Sequence, residues 1–171
     1  IKYKPSIIKK IKSLYIMGGI GAGKGNITEH AEFNFWVDPD AADIVLNSEI
    51  NIKMIAWDTT QIYGYLNKKN FEDLEKINTT LSKFAINIQK KGLEYYKIKY
   101  NEHKIDLADP LAMAVMIDDE DTNYRRCNIK IILDGEERGK DIISFNKNGN
   151  IKLATHVSRT NFLNTLKKSL A

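Results

Sequence analysis

The sequence predicts an α/β fold: a mostly parallel sheet flanked by helices, with a small antiparallel extension near the C-terminus. Three observations carry that expectation. Compact apolar runs at residues 14–17 and 52–57 stop at glycines or polar residues, as buried strands do. Helical patterns follow them, two of which open on an Asp-Pro pair, at 38–39 and 109–110. Beyond Cys127 the pattern changes to short strands punctuated by Gly135, Gly139 and Gly149. Strands that alternate with helices argue for parallel pairing, because a parallel connection needs a crossover.

Taken in order, Pro5 with Ile7, Ile8 and Ile11 has the spacing of a short amphipathic helix with proline in its first turn. Residues 14–17 form a buried strand that feeds a glycine-rich loop running to about Asn26. Asp38 is the expected cap of a helix reaching about Ser48, with Pro39 at its first position. Residues 52–57 form the second buried strand. Residues 71–100 read as two or more helices broken near Gly92, with lysines on the exposed side. Asp109-Pro110 repeats the capping syntax before an apolar helix through Ile117, and residues 128–133, 141–145 and 151–157 are strands before a last helix at 160–170.

The 171 residues suit one domain, expected to cover 1–171 with no linker, repeat or low-complexity tract. With 43% hydrophobic and 28% charged residues the balance is that of a globular protein, which excludes a disordered or fibrous chain. The net charge of +4 comes from lysines scattered over helical stretches, so a solvated face rather than a nucleic-acid stripe is expected. One cysteine, Cys127, excludes an internal disulfide, and no apolar run approaches the ~20 residues that span a bilayer. An intracellular, cytoplasmic setting without a membrane or nucleic-acid partner is the expectation. The chain opens on Ile1 rather than Met, and it is expected to be a processed or partial one.

Two motifs invite a chemical reading. Gly18 followed by Gly23-Lys24 after a strand comes close to a phosphate-binding loop, but Gly25 stands where a Ser or Thr would ligate magnesium. No amphipathic helix follows to hold a phosphate at its N-terminus. The next segment sets Asn26, Glu32 and Asn34 close together beside a strand end, which offers convergent hydrogen bonds to a polyhydroxylated ligand. The same asparagines serve equally as turn residues, and spacing alone does not decide between the two.

Taken as a set, Met17-Gly18-Gly19, Gly25-Asn26, Ala31-Glu32-Phe33-Asn34 and Asp38-Pro39 with Ala41-Ala42 resemble the block that marks inosine/uridine-preferring nucleoside hydrolases. Asp109-Pro110-Leu111-Ala112-Met113-Ala114 resembles the family's second block, and Glu137-Arg138-Gly139-Lys140 with residues 151–170 its closing strands and helix. The likeness is to the C-terminal part of that family and is loose over residues 63–107. It implies hydrolysis of the N-glycosidic bond of a purine or pyrimidine ribonucleoside through an oxocarbenium-like transition state, with a calcium-bound water as nucleophile. It implies that Asn26 and Glu32 bind ribose hydroxyls on the 5′ side, that Asn34 holds the 2′ and 3′ hydroxyls, and that Asp109 ligates calcium.

Two departures qualify the resemblance. The family's N-terminal aspartate cluster, source of the other calcium ligands and the general base, has no counterpart here, so the missing N-terminal half is an expected partner. Ala108 occupies the place of the branch's candidate acid, a histidine, and His30, His103 and His156 offer no clear substitute. The residues alone favour a helix cap for Asp109, whereas the resemblance favours a ligand. The 171-residue chain by itself is expected to be inactive. A non-catalytic homologue serving as scaffold or assembly component is the alternative, and homo-oligomerisation stays open.

Overall fold

The computed structural model describes residues 1–171. After a 3₁₀ turn at Pro5–Lys10 the elements run β1 (Leu14–Met17), α1 (Phe33–Val37), α2 (Pro39–Leu46), β2 (Ile52–Ile55), α3 (Trp57–Tyr63), β3 (Tyr65–Asn67) and α4 (Lys68–Glu75). They continue with α5 (Thr80–Tyr100), β4 (Lys104–Asp106), α6 (Ala108–Ile117), β5 (Asn123–Ile131), β6 (Asp141–Phe145), β7 (Ile151–His156) and α7 (Arg159–Leu170). The chain resolves into two compact units, residues 1–59 with 122–157 and residues 60–121 with 158–171.

The first unit holds a five-stranded mixed sheet ordered β1-β2-β7-β5-β6. β1, β2 and β7 are parallel, while β5 runs antiparallel to both β7 and β6. The α/β class and the antiparallel extension are thus as the sequence led us to expect. Alternation explains the core: Ile52 and Met54 on β2, Cys127, Ile129 and Ile131 on β5, and Ile151 and Leu153 on β7 share one face. Leu46 and partly buried Ala42 and Val45 of α2 pack against it. α2 starts as expected, because the Asp38 carboxylate accepts the Ala41 N–H at 2.9 Å and Pro39 needs no donor. β1 pairs only with β2, so its outer edge is open.

β5 carries its two neighbours on different halves. β6 pairs with residues 127–131 and β7 with residues 123–127, on the opposite edge. The link between them crosses β5 at Cys127, where a Cβ on Gly149 would stand 2.4 Å from the Cys127 carbonyl carbon. Only glycine leaves room for that crossing.

In the second unit α4, α5, α6 and α7 surround the antiparallel β3-β4 ribbon, which the sequence pattern does not predict. Its core includes Leu66, Leu74, Ile105, Leu111, Val115 and Phe162. Arg159 ties the ribbon to α7, donating to the Tyr63 and Tyr65 carbonyls at 3.1 and 2.5 Å while stacking on the Tyr65 ring at 3.6 Å. α5 runs unbroken through Gly92, where the expected interruption fails because glycine serves packing there. A Cβ at that position would meet Ile105 Cδ1 at 2.4 Å. The helix ends instead at Asn101, which adopts the left-handed conformation at φ 55°. No helix is long and apolar enough to cross a membrane.

Candidate functional site

β1 stops at Met17 because the chain must turn where no side chain fits. A Cβ on Gly18 would lie 2.6 Å from the Phe35 ring, and Gly19 takes φ +73° against Met54 and Phe35. Trp57 and Asp58 then donate their N–H groups to the Gly19 and Ile20 carbonyls at 2.9 and 3.1 Å, fixing the loop to the end of β2.

Four successive amides of this loop are each taken by a carboxylate of the same unit. Gly19 N–H donates to Glu32 Oε2 at 3.1 Å, and Ile20 and Gly21 to the two oxygens of Asp141 at 2.8 and 3.1 Å. Ala22 donates to Asp58 Oδ2 at 2.9 Å. A phosphate-binding loop needs its amides free and its surroundings positive. Here three carboxylates already stand where phosphate oxygens would go, which excludes the phosphate-loop alternative on electrostatic grounds. Neither Asp58 nor Asp141 stands out in the sequence; the chain separation of 120 residues or more gives no local signal for the latter.

Glu32 is the hinge of the arrangement. It is 1% exposed, caps α1 by accepting the Asn34 N–H at 3.0 Å, and holds Gly19 with its other oxygen. Burial pushes its carboxyl above the usual range, with the Asn34 and Gly19 amides and the Asn26 side chain pulling the other way. Burial likewise raises Asp141, against the amides of Ile20 and Gly21.

Exposed Asn26 and Asn34 flank this buried carboxylate. Asn26 Oδ1 accepts the Phe33 N–H at 2.8 Å, which leaves its NH₂ free of that bond. Asn34 donates from Nδ2 to the Met17 carbonyl at 3.4 Å, at the end of β1. The structure therefore gathers Asn26, Glu32 and Asn34 around one strand end, tied there by their bonds to Phe33, Gly19 and Met17. Arg138 secures α1 from below through the Trp36 and Val37 carbonyls, at 3.2 and 3.4 Å.

Asp109 lies in the other unit, exposed, at the second position of α6. The expected cap is not formed: Leu107 is the capping residue and no side chain bonds to the helix start. The turn begins one residue early, inside the segment fixed by the Leu107 N–H to Gly64 carbonyl bond of 2.7 Å, so Asp109 enters the helix instead of preceding it. Asp109 lines a mainly aliphatic cavity of about 380 Å³ with Pro110, Met113, Ile117 and Leu166. Ala108 carries no proton to give. Two residues earlier, burial raises the Asp106 carboxyl; Tyr96 bonds its Oδ2 at 3.2 Å and its Oδ1 is buried without a partner. Its place on a short strand hides that group from any reading of the sequence alone.

No group of three or more His, Cys, Asp or Glu side chains stands close enough to hold a metal ion. Calcium takes some 6–8 oxygens, and Asp109 offers one carboxylate, so these residues do not by themselves make a calcium cage.

Known proteins resemble this chain in sequence and in fold. The sequence model described as inosine-uridine preferring nucleoside hydrolase matches residues 1–164. An inosine-uridine preferring nucleoside hydrolase of Crithidia fasciculata is 30% identical over 139 residues, 79% of this chain and 42% of the relative. The same-named protein of Leishmania major is 30% identical over 149 residues, 85% of this chain and 46% of the relative. Among solved structures, a plant nucleoside hydrolase superposes with a TM-score of 0.90 at 26% identity, covering 99% of this chain and 56% of its own. A purine-preferring ribonucleoside hydrolase from Gardnerella vaginalis gives 0.87 at 28% identity, over 99% and 55%. The chain thus spans about half the length of the relatives it matches. From residue 1 to residue 164 it belongs to the inosine-uridine preferring nucleoside hydrolase family.

Proposed function

We propose that this chain supplies the ribose-holding part of an enzyme that hydrolyses the N-glycosidic bond of ribonucleosides to ribose and free base. The convergence of Asn26, Glu32 and Asn34 at the end of β1 carries the reading. The relatives' names support it, since they differ in the base, inosine-uridine, pyrimidine-specific or purine-preferring, and agree on the ribonucleoside. What is common to them is the sugar, which is the part that this cluster suits.

The Asn26 NH₂ donates to a ribose hydroxyl on the 5′ side, with Glu32 beside it as acceptor through its remaining lone pairs. The Asn34 carbonyl accepts from the 2′ and 3′ hydroxyls. Because Glu32 anchors both the loop and α1, these contacts are preorganised, and a sugar held this way can flatten toward the oxocarbenium geometry at little extra entropic cost. Calcium enters the proposal only through Asp109, as one ligand among several that have to come from elsewhere. A cytoplasmic setting fits the one buried thiol, Cys127.

The 171-residue chain alone shows no chelator-sensitive release of hypoxanthine or uracil from inosine or uridine, because it offers Asp109 without a cage. Such turnover would mean that the chain holds a complete site. Ribose binding is tested separately by following the side-chain amide signals of Asn26 and Asn34 in ¹⁵N-labelled chain as ribose is added. Both signals shift if the two asparagines hold the sugar, and unmoved signals at saturating ribose would sink the proposal. Ala108 favours a second reading, a non-catalytic homologue that serves as a scaffold. An intact ribose response in a full-length protein that never releases base would identify that case.

A further inference from the structure

One turn touches both walls of the Asn26, Glu32 and Asn34 cluster. The link from β5 to β6 closes through its own backbone, with the Gly139 N–H on the Ile132 carbonyl at 2.7 Å and the Ile132 N–H on the Lys140 carbonyl at 3.0 Å. Two of its side chains then reach out of it. Arg138 donates from Nε and Nη2 to the Trp36 and Val37 carbonyls at 3.2 and 3.4 Å, and from Nη1 to the Leu133 carbonyl at 3.0 Å. Gly139 lies so close to α1 that a Cβ there would stand 2.6 Å from the Trp36 Cα. α1 has five residues, too few to hold a helix by its own hydrogen bonds, and Asn34 is its second. At the start of β6, Asp141 accepts the Ile20 and Gly21 N–H groups at 2.8 and 3.1 Å, and its Oδ2 would lie 3.1 Å from a Cβ on Gly19. Gly19 is the residue whose N–H holds Glu32 Oε2 at 3.1 Å.

We propose that this turn is the positioning element of the ribose cluster, with Arg138 setting Asn34 through α1 and Asp141 setting Glu32 through the glycine loop. The inference rests on the ribose reading given above. Both residues act through others and neither touches the sugar. Their chemistry suits that task. The planar guanidinium of Arg138 engages three carbonyls at once, which fixes the rotation of α1 as well as its distance. Asp141 takes two successive amides, one on each oxygen, and so fixes the tilt of the peptides beside Gly19. Only a carboxylate does this, because a side-chain amide has one acceptor oxygen and would turn its NH₂ toward the other N–H. Division of labour follows from the two routes. Asp141 governs the 5′ side of the sugar, where Glu32 accepts, and Arg138 governs the 2′ and 3′ side, where Asn34 accepts. The turn, α1 and the glycine loop all belong to the sheet-bearing unit, so the scheme needs no other part of the chain.

The test is a titration of ¹⁵N-labelled chain with methyl β-ribofuranoside, its 5-deoxy analogue and its 2,3-dideoxy analogue, followed by the side-chain amide signals of Asn26 and Asn34. Asp141→Asn weakens binding of the parent sugar and of the 2,3-dideoxy analogue about tenfold, the order of one well-placed hydrogen bond, and leaves the 5-deoxy analogue within about twofold. Arg138→Gln gives the converse pattern, weakening the parent and the 5-deoxy analogue and sparing the 2,3-dideoxy one. Unchanged backbone amide signals of β2 and β7 show that each variant is folded. Asp141→Glu and Arg138→Lys, which keep the charge and misplace the hydrogen-bonding atoms, give the same crossed pattern at smaller size and serve where the first pair does not fold. Folded variants that bind all three sugars as the unaltered chain does overturn the inference and leave the ribose reading standing. Equal weakening toward all three sugars by both variants also overturns it, since that is what general loosening produces. An unaltered chain that ignores the parent sugar sinks the ribose reading itself, and this inference with it.

Discussion

Replacing Glu32 by alanine removes the group that joins the glycine loop to α1. Two bonds are lost together: the cap on the Asn34 N–H and the acceptor for the buried Gly19 N–H. Losing an N-cap costs about 0.5–2 kcal/mol, and a buried amide left without a partner costs about 1–3 kcal/mol, so the sum is about 1.5–5 kcal/mol. Glu32→Gln keeps the volume and one acceptor oxygen but turns an NH₂ toward one of the two N–H groups, for about 1–2 kcal/mol. Urea unfolding followed by tryptophan fluorescence suits the case, since Trp36 and Trp57 both lie in the sheet-bearing unit. At a slope of roughly 2 kcal/mol/M, Glu32→Ala lowers the midpoint by roughly 0.8–2.5 M. The pH dependence has a definite sign. Burial raises the folded-state pKa of Glu32, so the stability that this carboxyl contributes is full below its ordinary unfolded value and declines as pH rises through the raised one. Glu32→Gln cannot ionise and lacks that decline. A loss below about 0.5 kcal/mol for Glu32→Ala, the range of ordinary surface substitutions, would refute the reasoning that this side chain holds the loop.

Gly149→Ala costs about 2 kcal/mol or more in the same unfolding assay, because its Cβ would strike the Cys127 backbone, which cannot rotate away. Gly135→Ala, at φ +74° with nothing within 4 Å, costs only the conformational strain of about 1–2 kcal/mol. Asp38→Ala destabilises by about 1 kcal/mol through loss of its bond to the Ala41 N–H, whereas Asp109→Ala removes no cap and stays within about 0.5 kcal/mol in a thermal melt.

The chain by itself determined those elements whose cause is local. Residues 14–17 are apolar between polar neighbours and then meet glycines, so β1 begins and ends where the sequence says. Asp38-Pro39 caps α2 with its own side chain, three residues from the amide that it serves. Asn26, Glu32 and Asn34 are gathered within nine positions by short loop bonds, so their grouping was legible too. Other features depended on residues remote in sequence. Asp109-Pro110 has the same syntax as Asp38-Pro39, yet the anchoring of Leu107 on Gly64 starts the helix one residue sooner and leaves that carboxylate outside the cap. Gly92 reads as a helix breaker, and the ribbon residue Ile105 makes it a contact instead. The glycine loop reads as a phosphate cradle until Asp141, 120 residues further on, fills it with a carboxylate. Hydrogen bonds and sterics between distant segments have no period and no spacing in the chain, and only the tertiary structure could decide what those residues do.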